Sequence, residues 1–345
     1  MSIALDIGVH RLRSLRRSGQ QLVGRSSCAV YSVLDDEPSV REILDRIGVS
    51  YGQCEGSLLL IGDDAVNCSP AFHIPCVPLL PEGRVPRDDA PARQIIGSLV
   101  SHLLPKPAHA DEPCCITLPG TSASRDNHER AFLSQLVRLQ GYTPLPLTAS
   151  MALILAELVD QSFTGIGFVM GASSCQMSLA HRGIEVANVT IPLGGNWIDS
   201  ELARRENLYR WDARGNKSLD VVSVRAWKES ESRSIEQPSD DRERFLGELY
   251  HELIAHVVRV AAINFANTRA VERIQQPVTL VAAGGAASIA GFSEVLSRAW
   301  KEASFPVNVE ASRVVEDSEY TVARGCLIWA ELEADMVQGK GRAVA

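Results

Sequence analysis

Three turns rich in small residues each follow an apolar segment, and their order along the chain limits the possible folds more than any other feature. The first is Asp6-Ile7-Gly8 in "IALDIG", the second is 171–174 in "VMGASS", and the third is 284–288 in "AAGGAAS". Such turns let backbone N–H groups approach a phosphate, although a single glycine after a strand often only relieves steric strain. As an ordered set, two hairpin loops and one strand-to-helix loop can converge on a triphosphate and a nucleoside.

Composition excludes several other classes of protein. A chain of 345 residues that is 45% hydrophobic is long enough for two or more packed subdomains. The net charge of −8 argues against a nucleic-acid partner. The eight cysteines include no CxxC pair and predict no metal site. We find no signal peptide and no apolar run near the ~20 residues of a transmembrane segment. We therefore expect a cytoplasmic protein with reduced thiols.

Strand and helix patterns alternate along the chain, which is typical of the α/β class. In the first half, the spacing of apolar residues predicts helices over 38–47 and 91–104, and Ser124 is a plausible N-cap for a later helix. "SLLLIGDDAV" reads as a strand, and the proline-dense stretch 70–91 reads as an irregular excursion. In the second half we expect a hairpin over 166–191, an exposed polar insertion at about 206–241 and an amphipathic helix over 242–266.

The quoted turns resemble the nucleotide loops of the actin-like ATPase superfamily, which includes actin, the rod-shape protein MreB, sugar kinases and heat-shock chaperone ATPase domains. "LDIG" is similar to the first phosphate loop, "VMGASSCQMSLAHRG" to the second, and "LVAAGGAASIAGFSEVL" to the adenosine loop. "IPLGGNWIDSELARR" resembles the Gly-Gly-Asp turn and helix, and "DSEYTVARGCLIWAELE" resembles the second connecting helix. "LLIGDDAV" and "PLLPEGRVPRDD" are closest to the MreB type.

The resemblance covers nearly the whole chain and implies a fold and a ligand. We expect a two-lobed α/β actin-like ATPase fold, made of duplicated ribonuclease-H-like domains with a nucleotide cleft between the lobes. Residues 1–147 and 308–345 would form lobe I, and 148–307 would form lobe II. The implied ligand is ATP or ADP with Mg²⁺, and Asp6 would hold the metal through water and act as the catalytic acid. The implied nucleotide-binding residues are Asp6, Gly8, Arg13, Gly171, Ala172, Ser173, Ser174, Gly194, Gly195, Lys228 on the purine side, Gly284, Gly285, Ala286 and Ser288.

The sequence departs from the family pattern at three places. The first loop continues with the bulky residues Val9, His10 and Arg11, although Arg11 or Arg13 could supply positive charge to a phosphate. Val169 stands where the family has its second acid, and Thr148 stands where a Glu or Gln usually orients the attacking water. Positioning of water and electrostatic stabilisation are most of what a protein contributes to phosphoryl transfer. We therefore expect weak or absent ATP hydrolysis.

Three functions remain open from the sequence. The first is an MreB-like cytoskeletal scaffold that binds nucleotide and self-associates into filaments or binds an unknown protein partner. The second is a chaperone-like ATPase that acts on a partner in trans, since no peptide-binding domain is expected in this chain. The third is a pseudo-ATPase binding module. We find no N-terminal amphipathic helix or apolar loop for a membrane, and we expect the five tryptophans in the core or at interfaces.

Overall fold

The computed structural model describes residues 2–119, 127–211, 215–230 and 233–343. The chain forms two compact units. Unit 1 contains the described residues of Met1–Pro119, Asp126–Pro146 and Trp329–Ala345, and unit 2 contains the described residues of Leu147–Ile328.

Helices and strands alternate through both units. The elements of the first part of the chain are β1 (Ile3–Ile7), β2 (Arg11–Ser18), β3 (Gln21–Cys28), β4 (Val30–Asp35), α1 (Pro38–Ile47), β5 (Gly52–Cys54), β6 (Ser57–Ile61), α2 (Asp63–Phe72), β7 (Val77–Pro78), α3 (Ala90–Leu103), β8 (Glu112–Thr117), α4 (Asn127–Leu139) and β9 (Tyr142–Leu147). The later elements are α5 (Ala149–Glu157), β10 (Gly165–Met170), β11 (Cys175–His181), β12 (Ile184–Ile191), α6 (Gly195–Arg205), β13 (Tyr209–Trp211), β14 (Lys217–Leu219), α7 (Val221–Ser230), α8 (Asp241–Ala266), β15 (Val278–Ala283), α9 (Phe292–Glu302), β16 (Val309–Val314) and α10 (Thr321–Ala343).

A five-stranded sheet forms the centre of unit 1, in the order β3-β2-β1-β8-β9. Strand β1 is antiparallel to β2 and parallel to β8. Its side chains Ile3, Leu5 and Ile7 are buried on one face of the sheet and Ala4 is buried on the other, as expected for a central strand. Helices α3 and α4 supply the apolar residues that complete this core.

A smaller four-stranded sheet, in the order β5-β6-β4-β7, forms a second core within unit 1. Helix α1 contributes Leu44 to it and α2 contributes Ala65 and Cys68. The segment from 63 to 72, which the sequence analysis divided between a strand and an irregular excursion, is helix α2. The strand ends before Gly62, whose φ of +69° favours glycine, and two aspartates then open the helix.

Unit 2 contains a second five-stranded sheet in the order β12-β11-β10-β15-β16. This order matches that of the first sheet: a three-stranded meander followed by two parallel strands on the other side of its first strand. The expected α/β duplication is therefore visible in the topology. Strand β16 pairs with β15, so residues 308–328, which the sequence analysis assigned to lobe I, lie in unit 2.

The core of unit 2 lies against the long helix α8, whose buried face includes Leu246, Tyr250 and Phe265.

In the same unit, helices α5 and α10 cross with their backbones very close together. A Cβ built on Gly325 of α10 would lie 1.7 Å from the carbonyl oxygen of Ala152 on α5. Only glycine permits this crossing.

Most helices predicted from periodicity are confirmed, including α1 over 38–47 and α3 over nearly all of 91–104. The insertion expected at about 206–241 contains the short strands β13 and β14 and the helix α7. The N-cap proposed at Ser124 lies outside the described residues. Among the residues that the structure describes, no helix is long and apolar enough to cross a membrane.

Candidate functional site

Two of the three predicted nucleotide loops begin side by side in unit 2. Strands β10 and β15 are parallel neighbours, and Val169 near the end of β10 pairs with Ala283 at the end of β15. The loops 171–174 and 284–288 therefore leave the sheet at the same carboxyl edge. In α/β sheets this edge is where ligands are usually bound.

Backbone contacts join these loops to the start of α6. The N–H of Gly195 donates to the carbonyl of Gly171 at 2.9 Å, and the N–H of Asn196 donates to the carbonyl of Ala172 at 2.8 Å. A Cβ on Gly194 would lie 2.4 Å from the oxygen of Gly171. The start of α6 thus braces the second loop. We call the segments 171–174, 194–195 and 284–288 the glycine cradle.

The third loop, 284–288, also has a position that only glycine can occupy. Gly284 has a φ of +111°, and a Cβ there would lie 2.3 Å from the carbonyl oxygen of Met170. After it, Ser288 donates its hydroxyl proton to the carbonyl of Gly285 at 2.9 Å, and Ala287 is buried. A Cβ on Gly195 would meet the Cβ of Ala286 at 3.5 Å, whereas Gly285 has open space around it. The glycine cradle is therefore one packed unit with a small-residue surface.

The cradle contains a buried polar atom with no partner in the described part of the chain. Ser173 is only 6% exposed, and its Oγ makes no hydrogen bond to the residues that the structure describes. Leaving a buried hydroxyl unsatisfied costs about 1–3 kcal/mol. A phosphate oxygen is the kind of acceptor that would satisfy it, and the space beside Gly285 is open. The residues present therefore fit a phosphate-containing ligand.

The position of the missing acid is apolar. Val169 is 8% exposed, and its cross-strand neighbour on β11 is Gln176. The side-chain oxygen of Gln176 accepts the N–H of Ala149 at 2.9 Å, so this amide caps α5. Neither residue supplies a carboxylate next to the second loop.

Thr148 also acts as a helix cap. Its Oγ1 accepts the N–H of Met151 at 3.2 Å and donates to Glu185 at 2.9 Å. Glu185 accepts a second hydrogen bond from Ser178 at 2.6 Å. The sequence analysis did not identify Glu185, because it belongs to a different strand and becomes a neighbour of Thr148 only through the pairing of β11 with β12.

Lys228 lies in an ion pair close to the cradle. Its Nζ donates to Oδ1 of the buried Asp199 at 2.5 Å, and Arg225 approaches Oδ2 of the same carboxylate at 3.3 Å. Asp199 lies one turn after Gly195 on α6. The structure pairs Lys228 with Asp199, and the contact with the purine that the family resemblance implies for Lys228 stays a prediction. Asp199 was missed, although a carboxylate within "GGNWIDSELARR" was a visible signal.

In unit 1, Asp6 is held by two neighbours. Its Oδ1 accepts the hydroxyl proton of Thr117 at 2.6 Å, and Nη1 of Arg13 lies 3.9 Å from Oδ2. Burial raises the pKa of Asp6 above its ordinary value, while the hydrogen bond from Thr117 and the charge of Arg13 act in the opposite direction. The positive charge that was expected of Arg13 toward a phosphate therefore faces Asp6. Thr117 was not identified from the sequence.

The first loop is a tight turn. The N–H of Gly8 donates to the carbonyl of Arg11 at 3.0 Å, and a Cβ on Gly8 would lie 2.7 Å from that oxygen. Val9 is buried, and the guanidinium of Arg11 pairs with Asp63 at 3.0 Å. Arg11 also donates to the thiol of Cys28, whose pKa is raised to about 11, mainly by burial. The positive charge of Arg11 is therefore paired with the carboxylate of Asp63 within unit 1.

The donor set for a metal is small. No group of three or more His, Cys, Asp or Glu side chains that could hold a metal ion occurs in the described part of the chain. Of the two family acids, only Asp6 is present. Mg²⁺ usually keeps several waters and binds one or two carboxylates together with substrate phosphates, so one carboxylate is the smallest set compatible with it.

Two sheets of identical strand order, with the cradle at the carboxyl edge of the second, define the class: the chain has an actin-like fold. Two solved structures share the fold over nearly their full length. The MamK double helical filament has 15% sequence identity and a TM-score of 0.69, with 96% of this chain and 99% of that chain covered. MreB5 of Spiroplasma citri bound to ADP has 14% identity and a TM-score of 0.65, with 98% of each chain covered. At such identities the likeness shows the fold alone.

Within this class the family is also defined. The family model described as Volactin matches residues 1–330, and the chain belongs to the Volactin family. No curated protein matches the sequence.

Proposed function

We propose that this protein is an MreB-like scaffold that binds ATP or ADP with Mg²⁺ at the glycine cradle, self-associates into filaments, and hydrolyses ATP weakly or not at all. The observation that carries the proposal is the buried, unpartnered Oγ of Ser173 within a cradle closed by Gly194 and Gly284. An anionic phosphate oxygen would accept a hydrogen bond from this hydroxyl, and the missing Cβ atoms of Gly194 and Gly284 let the segments of the cradle pack together around it.

In this proposal the chain's residues have separate tasks. Ser173, Ser174 and the backbone of 171–172 would bind phosphate, and 284–288 would lie against the nucleoside. Lys228 acts through Asp199, which it keeps neutralised one turn from Gly195. Mg²⁺ would balance the phosphate charge when bound. The roles that the resemblance gives to Asp6, Gly8 and Arg13 remain predictions.

Weak hydrolysis is supported by two replaced positions. Val169 places a hydrocarbon side chain where a carboxylate is expected, and the Thr148 hydroxyl is already engaged by Met151 and Glu185. Removing a single electrostatic contributor from an active site typically lowers the rate about 10²–10³-fold. Two such losses in one site leave binding possible and turnover slow.

The proposal of filament assembly is supported by the descriptions of the solved structures that share the fold. The solved relatives include a protein described as a double helical filament and others described as bound to ADP or AMPPNP. These descriptions apply to those proteins, and for this chain they favour nucleotide binding and polymerisation. We also propose a cytoplasmic location.

Three measurements on one preparation test the proposal. Fluorescence titration with a labelled ATP analogue and Mg²⁺ should show saturable binding that unlabelled ATP competes. A phosphate-release assay should give a rate far below that of actin-like proteins with both acids. Sedimentation should pellet the protein when Mg·ATP is added. Absence of binding would remove the nucleotide proposal, and fast turnover would remove the proposal of weak hydrolysis.

A further inference from the structure

A small hairpin in unit 2 exposes aromatic side chains. Strand β13 pairs with β14 so that Trp211 lies opposite Lys217 and Tyr209 lies opposite Leu219. Directly opposed residues and residues two apart share one face of a sheet, so Tyr209, Trp211 and Lys217 lie on the same side. We call the residues 209–211 and 217–219 the aromatic hairpin.

The aromatic side chains on this face are unusually exposed. Trp211 is 67% exposed and Tyr209 is 39% exposed. Nζ of Lys217 lies 3.8 Å from the ring centroid of Tyr209 and 6.0 Å from that of Trp211, so the three side chains form one strip. Leu219 packs against the core of unit 2 and anchors the hairpin. Exposed tryptophan and tyrosine are enriched at protein interfaces.

The strip is basic, although the protein is acidic. Lys217 is the basic side chain of the strip; it is exposed, and no ion pair among the described residues involves it. Arg210 is also exposed but lies opposite Ser218 on the other face of the hairpin. Nearby carboxylates already have partners. Glu201 pairs with Arg204, Glu206 with Arg242, and Glu248 with Arg205. The full chain has a net charge of −8, so a second copy carries more acidic than basic side chains.

We propose that the aromatic hairpin is a self-association surface that docks on an acidic region of a second copy of this chain. The inference rests on the proposed filament function and names the surface responsible. A basic, aromatic patch that meets a different, acidic patch makes a heterologous contact, and repetition of such a contact gives an open filament when the ring does not close. Charge complementarity would fix the orientation, and burial of Trp211 would supply affinity.

Sedimentation with Mg·ATP tests this surface. Trp211→Ala and Lys217→Glu should each raise the critical concentration for pelleting by about tenfold or more, as expected for central interface residues. Ile263→Ala is a matched control, because Ile263 is 59% exposed on α8, outside the hairpin. Lys301→Glu is the charge control on α9. Both controls should pellet like the wild type. Circular dichroism should show unchanged folding for all four variants.

The possible outcomes separate this inference from the proposed function. If the wild type pellets and the two hairpin variants pellet equally well, the inference is wrong and the filament proposal stands. If the wild type never pellets, both fail. A flotation assay with phosphatidylglycerol vesicles tests a membrane as the alternative partner of the hairpin. Vesicle binding by dilute wild type that Trp211→Ala abolishes, with unchanged pelleting, would assign the hairpin to a membrane and overturn the inference.

Discussion

Thr117 donates its hydroxyl proton to Oδ1 of Asp6 at 2.6 Å and accepts the N–H of Ile7 at 3.1 Å. One side chain on β8 therefore fixes both the carboxylate and the backbone at the end of β1. This contact partly compensates for the burial of Asp6, which still has a raised pKa. A buried carboxylate retained at such a cost is typical of a functional site.

The cost of burying Asp6 should be visible in the pH dependence of stability. Because its pKa is raised on folding, the folded state binds more protons than the unfolded state between the two pKa values. Stability is therefore lost as pH rises through this window, and the penalty is complete above the folded pKa. We expect Asp6→Asn to raise the free energy of unfolding at pH 7, measured with urea, because the amide removes the charge that burial disfavours.

Asp36 provides a control, because its pKa is shifted in the opposite direction to that of Asp6. Asp36 has a lowered pKa because of its hydrogen bonds with Arg41. Its contribution to stability is present above the unfolded pKa and is lost as pH falls through the folded value. Asp36→Asn should therefore lower stability at pH 7, slightly, because the pair is solvent-exposed. A loss of stability in Asp6→Asn at pH 7 would contradict the assignment of Asp6.

Ser173→Ala should separate stability from ligand binding. Removal of a buried, unpartnered hydroxyl relieves a cost, so the ligand-free protein should gain about 1 kcal/mol in urea denaturation. Loss of the proposed bond to phosphate should weaken binding of the ATP analogue about tenfold. Ser101→Ala is the control, since Ser101 is exposed on α3, donates to the carbonyl of Gly97 in its own helix and lies outside the cradle. Equal affinity of Ser173→Ala and wild type would exclude Ser173 from the site.

Val169→Asp tests the missing acid. Restoring a carboxylate beside the second loop should increase phosphate release up to about 10²-fold. Val169→Asn has similar size and no charge, and it should give no increase. If Val169→Asp binds nucleotide and shows no gain either, the limiting defect lies elsewhere, with Thr148 the next position to change. Nucleotide affinity should be measured for both variants, because Val169 is buried and an acid there is costly.

Gly325→Ala should be among the most destabilising single changes in the chain. The new methyl group would lie 1.7 Å from the carbonyl oxygen of Ala152, so two helices must move apart. We expect a loss of about 3 kcal/mol or more in urea denaturation. Gly97→Ala on α3 is the matched control, because its nearest side-chain atom would be at 3.5 Å, and it should gain up to about 1 kcal/mol from helix propensity. Equal stability of the two variants would contradict the close crossing.

Local patterns predicted much of this architecture. Helix α1 follows the expected residues 38–47, and β10 covers 165–170, because amphipathic spacing and short apolar runs are properties of neighbouring residues. The strand that was extended into "GDDAV" ends instead at Ile61; the next residue, Gly62, has a positive φ, and a Cβ there would lie 2.2 Å from Oγ of Ser27. That contact joins residues far apart in sequence, and no local pattern contains it.

The partners of charged side chains were the least predictable part of the site. Arg13 faces Asp6 because β1 and β2 pair in that register, and Lys228 meets Asp199 because α7 packs near α6. The sequence did not reveal these ion pairs, and the nucleotide contacts expected of both side chains stay predictions. Trp211, one of five tryptophans expected in the core or at interfaces, is exposed on a hairpin that the sequence analysis described only as a polar insertion. Exposure depends on packing of the whole unit, so composition could not reveal it.

The pairing of β10 with β15 joins strands that are more than a hundred residues apart in sequence. This pairing, with the start of α6, sets the distance between Gly171 and Gly284, and the aromatic hairpin has no part in it. The hairpin leaves and returns at one point, where the N–H of Asp220 donates to the carbonyl of Leu208 at 3.0 Å. Exchange of the segment between these two residues for another hairpin should therefore retarget assembly and leave nucleotide affinity unchanged, which makes the two properties separable by engineering and by evolution.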